Sequence, residues 1–175
     1  MDSAALRAKQ APLKERYRSD ASSALFTLTA DGTLDSTSIT CKLSTGKAIA
    51  EAKVAGLHPA SGGDGLSGEL CSGDMLLEAL VACAGVTVKA VATALEIPLR
   101  SGTVRAEGDL DFRGTMGVDK SAPVGFQAIR LAFHLDTDAD PAKLDALLKL
   151  TERYCVVLQT IAKKPELSCN IVRST

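Results

Sequence analysis

The chain has 175 residues, a length that suits a single domain. Apolar residues make up 46% of it and charged residues 23%, which excludes a disordered or fibrous protein. The formal net charge is −1, so no basic excess is available to bind a phosphate backbone or an anionic membrane surface. We therefore expect neither nucleic acid nor membrane as a partner.

The N-terminus is charged and has no apolar run, so we expect no signal peptide and predict a cytoplasmic protein. The longest charge-free apolar run, Ala79–Val88, is too short to span a hydrocarbon core of about 30 Å. Residues 1–24 are interpreted as an N-terminal arm and residues 25–175 as the domain.

The first part of the domain is predicted to form short strands, followed by a glycine-rich loop. The strands are expected at Leu25–Thr29, Ser38–Leu43 and Lys47–Val54, with a hairpin turn at Asp31-Gly32. Six of the 14 glycines then fall between residues 56 and 73. This loop lacks the Gly-Lys-Ser/Thr ending of a phosphate-binding loop, so it gives little support to a nucleotide site.

A long helix is predicted over Met75–Glu96, with Ser72 or Asp74 as its cap and Pro98 beyond its end. It is apolar almost all round, which predicts burial in the middle of the fold. On this helix Cys83 shares a face with Thr87 and with Ala79, Val86 and Ala90.

Two segments then alternate strictly between apolar and polar residues, as half-buried antiparallel strands do. They are Thr103–Phe112 and Phe126–Leu135. Asp140-Pro141 predicts the start of a helix, a second helical run covers Glu152–Lys163, and Leu167–Val172 is predicted to be a final strand. The order of elements predicts an α+β fold, with helices packed on antiparallel sheet.

The five cysteines contain no CxxC pair, so a structural zinc site is not indicated. Cys169 and Cys41 are interpreted as structural residues of strands, and the role of Cys71 is left open. Cys83 is either a small buried hydrophobe or a nucleophilic thiol reached through the glycine loop. Cys155 allows the same two interpretations, since it extends an apolar stripe and lies near a possible helix start at Thr151.

The stretch from Ser72 to Cys83, together with Glu152-Arg153-Tyr154-Cys155, resembles the osmotically inducible protein C and organic hydroperoxide resistance family. Members of that family carry a Pro-x-Glu-Leu-Leu-like helix start leading to a small residue and a cysteine, and about 70 residues later a Tyr-Cys-Pro motif. Here Cys155 lies 72 residues after Cys83. The resemblance extends over roughly residues 25–172.

The resemblance implies an intertwined homodimer of α+β subunits, in which antiparallel sheets pack on a long central helix and the active sites lie at the subunit interface. It also implies that two cysteines reduce hydroperoxides without metal, haem or flavin. Cys83 matches the peroxidatic cysteine and Cys155 the resolving cysteine. An external dithiol would then reduce the disulfide that they form.

The chain departs from the family pattern at three places. The family's helix-start glutamate can be replaced here only by Asp74, the first hairpin has no arginine, and Val156 stands where the family has proline. We therefore expect either that Arg16 or Arg18 approaches Cys83 or that the enzyme is slow, and the glycine loop, with His58 and the backbone N–H groups before Asp74, is the alternative source of donors. His58 is either a surface residue of the loop or a hydrogen-bond donor that lines the site.

The sequence thus predicts a divergent, thiol-dependent peroxidase. One alternative is a non-catalytic dimeric binding or stress-associated protein whose cysteines only fill the core. A third possibility is an acyl-transfer enzyme that uses Cys83, although no neighbouring histidine is placed as its base.

Overall fold

The computed structural model describes residues 2–5, 8, 10–11, 19, 31–34, 41–44, 54–61, 63, 70–115, 117 and 119–173. Four short strands form one sheet in the order β1-β2-β3-β4. They are β1 (Asp31–Leu34), β2 (Cys41–Ser44), β3 (Val54–Gly56) and β4 (Leu70–Cys71). The first two pairings are antiparallel and the last is parallel.

The predicted turn at Asp31-Gly32 is wrong, because both residues lie in β1 and pair with Ser44 and Leu43 of β2. Asp-Gly is a local preference, and pairing along a whole strand overrides it. Of the other predicted strands, β2 confirms residues 41–43 of the second and β3 begins at Val54, the last residue of the third. The remaining residues of these two predictions lie outside the described residues. The segment Leu25–Thr29 lies outside the described residues.

Helix α1 (Ser72–Ala94) confirms the predicted long helix but begins three residues earlier. Its N-cap is Cys71, with φ −66° and ψ 134°, so neither Ser72 nor Asp74 is the cap; Asp74 lies in the first turn. The helix ends where Glu96 takes the left-handed conformation, with φ 57°, shortly before Pro98.

Burial of α1 is one-sided, contrary to the prediction that it is buried all round. Its buried residues, Leu80, Ala84, Val88, Val91 and Ala92, follow one stripe, whereas Val86 on another side is 74% exposed. Among the described helices, α1 is long and apolar enough to cross a membrane, a test that core helices of soluble proteins also pass. The absence of a membrane partner therefore stays a prediction.

Strands β5 (Ser101–Leu110) and β6 (Phe126–Asp136) form an antiparallel pair, as predicted. Val104 lies opposite Phe133 and Ala106 opposite Leu131, and these side chains turn toward α1. The ring of Phe126 lies so close to Gly108 that a β-carbon at position 108 would come within 2.5 Å of it. Phe112, expected at the end of the strand, begins the short helix α2 (Phe112–Thr115) instead.

Two helices follow the strand pair. Helix α3 (Pro141–Tyr154) begins as predicted, since the Asp140 side chain accepts a hydrogen bond from the Lys143 N–H at 2.9 Å. Helix α4 (Val156–Ala162) follows after a one-residue break at Cys155. Both helices pack against α1.

The C-terminal segment, residues 163–173, does not form the predicted strand. Leu167 and Ile171 are 76% and 94% exposed, and Cys169 is exposed rather than part of the core. The alternating pattern of this segment is typical of a strand, but a strand needs a neighbour with which to pair. The described part of the chain supplies none.

Among the described residues, the core contains two clusters along α1. One contains Leu80, Ala84 and Cys155. The other contains Val88, Val91, Ala92, Ile97 and Leu147. Since α3 supplies Leu147 to the second cluster and ends at Cys155 of the first, it holds both clusters against α1.

Replacing Leu147 by alanine is expected to lower the free energy of unfolding by about 2–5 kcal/mol, because its side chain is 2% exposed and its loss leaves a cavity. The matched control is Leu148→Ala on the same helix, where the side chain is 44% exposed and the expected loss is below about 1 kcal/mol. Urea unfolding measures both. Equal losses for the two variants would contradict the orientation of α3.

Candidate active site

Helix α1 places Cys83 in its middle, on the side that faces the other elements. Cys83 is half-buried and packs against Leu80, Ala84 and Cys155, which are fully buried. Its side chain therefore meets the C-terminal part of the chain, which supplies Cys155.

Cys155 occupies the break between α3 and α4. Its backbone is extended, with φ −72° and ψ 105°, so it ends one helix and begins the next. Its N–H donates to the Thr151 carbonyl oxygen at 2.9 Å, and its carbonyl oxygen accepts from the Gln159 N–H at 2.9 Å. The helix start expected near Thr151 thus lies at Val156, directly after Cys155.

The sulfur of Cys83 is surrounded by hydrogen-bond donors. Burial alone would raise the pKa of the Cys83 thiol, but hydrogen bonds from the backbone of Val157, the Cys155 thiol, the Thr87 side chain and the backbone of Val156 outweigh it. The pKa of Cys83 therefore lies below the ordinary cysteine value. None of these donors carries a formal charge.

The pKa of Cys155 moves in the opposite direction. Burial is the main cause of the rise, and the neighbouring Cys83 raises the pKa further, because a thiolate on Cys83 disfavours a second negative charge. The backbone of Leu158 and that of Val157 partly offset the increase. When the pair loses one proton, the thiolate therefore forms on Cys83 and Cys155 keeps its proton.

The backbone donors of Val156 and Val157 are available because of the helix break. They are the first two N–H groups of α4, and the first N–H groups of any helix have no acceptor within that helix. Here they turn to the Cys83 sulfur.

Apolar side chains of the strand pair line the other side of the thiols. Val104, Ala106, Ile129, Leu131 and Phe133 pack against the cluster that contains Cys155. Leu131 and Phe133 also line an apolar cavity of about 480 Å³ between β6, α1 and α3. The thiol pair and this cavity therefore share a wall.

The other residues expected at the site are placed differently. His58 stacks on the ring of Phe112 with a centroid distance of 4.8 Å, and its Nδ1 accepts from the Ala60 N–H at 3.0 Å. Asp74 is exposed in the first turn of α1. Neither is among the groups that bond the Cys83 sulfur. Arg16 and Arg18 lie outside the described residues.

Sequence analysis missed three of the donors to Cys83. Thr87 was visible as a residue on the same helix face, one turn further along, but it was not assigned a role. The N–H groups of Val156 and Val157 leave no signal in side-chain identity, because every residue except proline has one. Within the described residues, no group of three or more histidine, cysteine, aspartate or glutamate side chains could hold a metal ion.

The fold and the thiol pair define an α+β protein with two juxtaposed cysteines between a central helix and a helix break. The family model for OsmC-like proteins matches residues 63–170, more than half of the chain. The chain therefore belongs to the OsmC-like family. A comparison with curated proteins gives no match.

Solved structures share this fold at low sequence identity. An OsmC-like protein from Mycoplasma pneumoniae is 14% identical, with a TM-score of 0.63 over 79% of this chain and 89% of that one. A protein from Legionella pneumophila, described as an organic hydroperoxide resistance protein and predicted redox protein, is 19% identical, with a TM-score of 0.59 over 79% and 90%. An OsmC-like protein of unknown function from Vibrio cholerae is 13% identical, with a TM-score of 0.58 over 78% and 94%.

Replacing Val156 by proline tests the backbone donors. Proline removes the N–H at the first position of α4, where it is well tolerated, and Cys155 already has the extended backbone that proline requires of the preceding residue. With one donor fewer, the thiolate is less stable and the pKa of Cys83 should rise. Alkylation of Cys83 at pH 7 should then be slower by roughly two- to tenfold.

The rate is read peptide by peptide by mass spectrometry, so that alkylation of Cys83 is separated from that of the other cysteines. The control is Val156→Ala, which removes the same side chain but keeps the N–H, and it should leave the pKa of Cys83 where it is. A folded Val156→Pro variant with an unchanged alkylation profile would show that the Val156 N–H does not act on Cys83.

Proposed function

We propose that this protein is a thiol-dependent peroxidase that reduces organic hydroperoxides through Cys83 and Cys155. The observation that carries the proposal is a pair of contacting thiols whose pKa values are shifted in opposite directions. Paired groups with diverging pKa values are typical of a site in which one group attacks and the other holds a proton. Membership of the OsmC-like family and the name of the Legionella pneumophila protein support the same chemistry.

In the first step the Cys83 thiolate attacks the outer oxygen of the hydroperoxide. A sulfur–oxygen bond forms, the O–O bond breaks, and the alkoxide takes up a proton and leaves as an alcohol. Cys83 becomes a sulfenic acid, oxidised by two electrons. The Cys155 thiol, which stays protonated at neutral pH, lies beside the reacting sulfur and can supply that proton.

In the second step the sulfur of Cys155 attacks the sulfur of the sulfenic acid. A disulfide forms, the sulfur–oxygen bond breaks, and the hydroxyl group leaves as water with a proton taken from the solvent. An external dithiol then reduces the disulfide by exchange and is itself oxidised to a disulfide. Since the thiols carry both electrons, the cycle requires no metal, haem or flavin.

The apolar cavity beside the thiols favours an organic rather than an inorganic peroxide. Its walls, Leu131 and Phe133 among them, are mainly aliphatic and aromatic. An alkyl group gains free energy when it leaves water for such a surface, which hydrogen peroxide does not. We propose that the carbon chain of the substrate lies against Leu131 and Phe133, which line the cavity and also pack beside the thiols, with its peroxide group at Cys83.

Activation of Cys83 in this proposal rests mainly on uncharged donors. The guanidinium group of Arg16 or Arg18, brought to the thiolate, would lower the pKa of Cys83 further. His58 and Asp74 are proposed to support the loop and the start of α1 rather than the thiolate.

Purified, reduced protein should consume one equivalent of cumene hydroperoxide without added reductant and should turn over repeatedly with an added dithiol. Cys83→Ser should lose at least about 100-fold in rate, because the attacking atom is gone. Cys155→Ser should still react once but stop at the sulfenic acid, which a dimedone probe detects by mass spectrometry.

Cys169→Ser is the control, since it removes an exposed thiol away from the pair and should leave turnover unchanged. If wild-type protein leaves the peroxide intact, or if Cys83→Ser is as active as wild type, the peroxidase proposal fails and the non-catalytic alternative stands.

We further propose that the protein is a homodimer. The described part of the chain leaves several large apolar side chains exposed, among them Val86 on α1 at 74%, and Leu167, Ile171 and Val172 in the C-terminal segment at 76%, 94% and 81%. A second copy that covers both regions would remove them from water. The expected buried area is on the order of 2,000 Å².

Analytical ultracentrifugation should therefore give a dimer at micromolar concentration. Ile171→Glu should weaken it at least about tenfold, because a charge cannot be buried there without a partner. The control, Ser168→Glu, places the same charge in the same exposed segment without removing an apolar side chain. A stable wild-type monomer would contradict the dimer.

A further inference from the structure

We propose that the Thr87 hydroxyl is a switchable hydrogen-bond donor, which bonds the Cys83 carbonyl oxygen while the sulfur is protonated and turns to the sulfur when the thiolate forms. The inference deepens the proposed function, since it rests on Cys83 as the reacting thiol. It assigns a role to a residue that supplies no charge.

The first argument is position. Thr87 follows Cys83 by four residues on α1, so the two side chains are neighbours on one face of the helix. The Thr87 Oγ1 donates to the Cys83 carbonyl oxygen at 2.7 Å. The same side chain is also within hydrogen-bonding reach of the Cys83 sulfur. The single hydroxyl group of Thr87 therefore has two acceptors, the carbonyl oxygen and the sulfur, and both belong to Cys83.

The second argument is the number of protons. A threonine hydroxyl has one hydrogen to donate, so it cannot fully serve the carbonyl oxygen and the sulfur at once. The Cys83 carbonyl oxygen also accepts the backbone N–H of Thr87 as part of the helix, and it stays bonded when the hydroxyl turns away. A thiolate carries a full negative charge, and hydrogen bonds to charged groups are the stronger ones, so the sulfur gains more from the hydroxyl than the carbonyl oxygen loses.

Rotation of the hydroxyl about its C–O bond is sufficient for this switch. No backbone movement is needed, because both acceptors belong to Cys83. The hydroxyl would stabilise the thiolate before the attack on the peroxide, and it would return to the carbonyl oxygen once the sulfur is oxidised and has lost its negative charge.

A bond from a threonine hydroxyl to the carbonyl oxygen four residues earlier is not special in itself. Thr93 on the same helix donates such a bond to the Lys89 carbonyl oxygen at 2.8 Å. On the other helices, Thr151 and Thr160 donate equivalent bonds to the carbonyl oxygens four residues before them. Thr87 differs from Thr93 because the residue it bonds carries a thiol. Thr93 therefore serves as a matched control.

The experiment measures the rate of Cys83 alkylation by iodoacetamide from pH 5 to 10 in full-length protein, by peptide mass spectrometry. Thr87→Val keeps the shape of the side chain and loses the hydroxyl, so its profile should move to higher pH, with a rate about tenfold lower at pH 7. At pH 10 it should react as fast as wild type or faster, because a thiolate of higher pKa is the stronger nucleophile. Thr87→Ser should restore the wild-type profile, and Thr93→Val should not change it.

A Thr87→Val profile that coincides with wild type in a folded protein, or a Thr87→Ser profile displaced as far as that of Thr87→Val, would overturn the inference. A Thr87→Val alkylation rate that is lower by the same factor at every pH would also overturn the inference, because it would indicate a purely structural role for Thr87. If Thr87→Val does not fold, Thr87→Ala replaces it with the same expectations. Because alkylation needs no peroxide, failure of the peroxidase assay leaves this test intact, and the two proposals can fail separately.

Discussion

The contact between the sulfurs of Cys83 and Cys155 is the interaction on which the rest of the structure depends. It joins the middle of α1 to the break between α3 and α4, and the Leu80 and Ala84 side chains pack around it. Because Cys155 is fully buried and Cys83 is half-buried, each thiol affects the charge of the other more strongly than two exposed thiols would. This contact lies in a core cluster, and it separates two otherwise similar thiols into one with a lowered pKa and one with a raised pKa.

The elements with strong periodic patterns could be predicted from the sequence. The alternation on both sides of Val104 and Phe133 identified β5 and β6, and Asp140-Pro141 fixed the start of α3. A pattern of this kind shows which face of an element is buried. It therefore predicts correctly those elements whose apolar face is covered by other residues of the same chain. The OsmC-like fold and the relation between Cys83 and Cys155 were implied by resemblance, and the catalytic roles of the two residues stay predictions.

The features that could not be predicted depend on neighbours rather than on residue type. The exposed C-terminal segment and the exposed side chain of Val86 carry patterns typical of buried residues, but within the described chain nothing covers them. The donors to Cys83 were missed for another reason. Two are backbone groups freed by the helix break, and the third is a threonine whose importance lies in its distance to a sulfur. Short strands such as β1 depend on pairing, which a local turn preference does not anticipate.

The break at Cys155 has a mechanical consequence. The N–H of this residue is bonded within α3 and its carbonyl oxygen within α4, so the two backbone torsions of Cys155, φ and ψ, act as a hinge between the helices. Rotation about these bonds tilts α4 without disrupting the ladder of either helix, and the hydrogen bond from the Gln159 side-chain amide to the Glu152 carbonyl oxygen, at 2.8 Å, is the link across the hinge that would yield. A disulfide brings its two sulfurs to about 2.05 Å. The Cβ of Cys155 lies within this hinge, so rotation there can move its sulfur toward Cys83, and the oxidised and reduced forms can differ in the orientation of one short helix while the main core stays as it is.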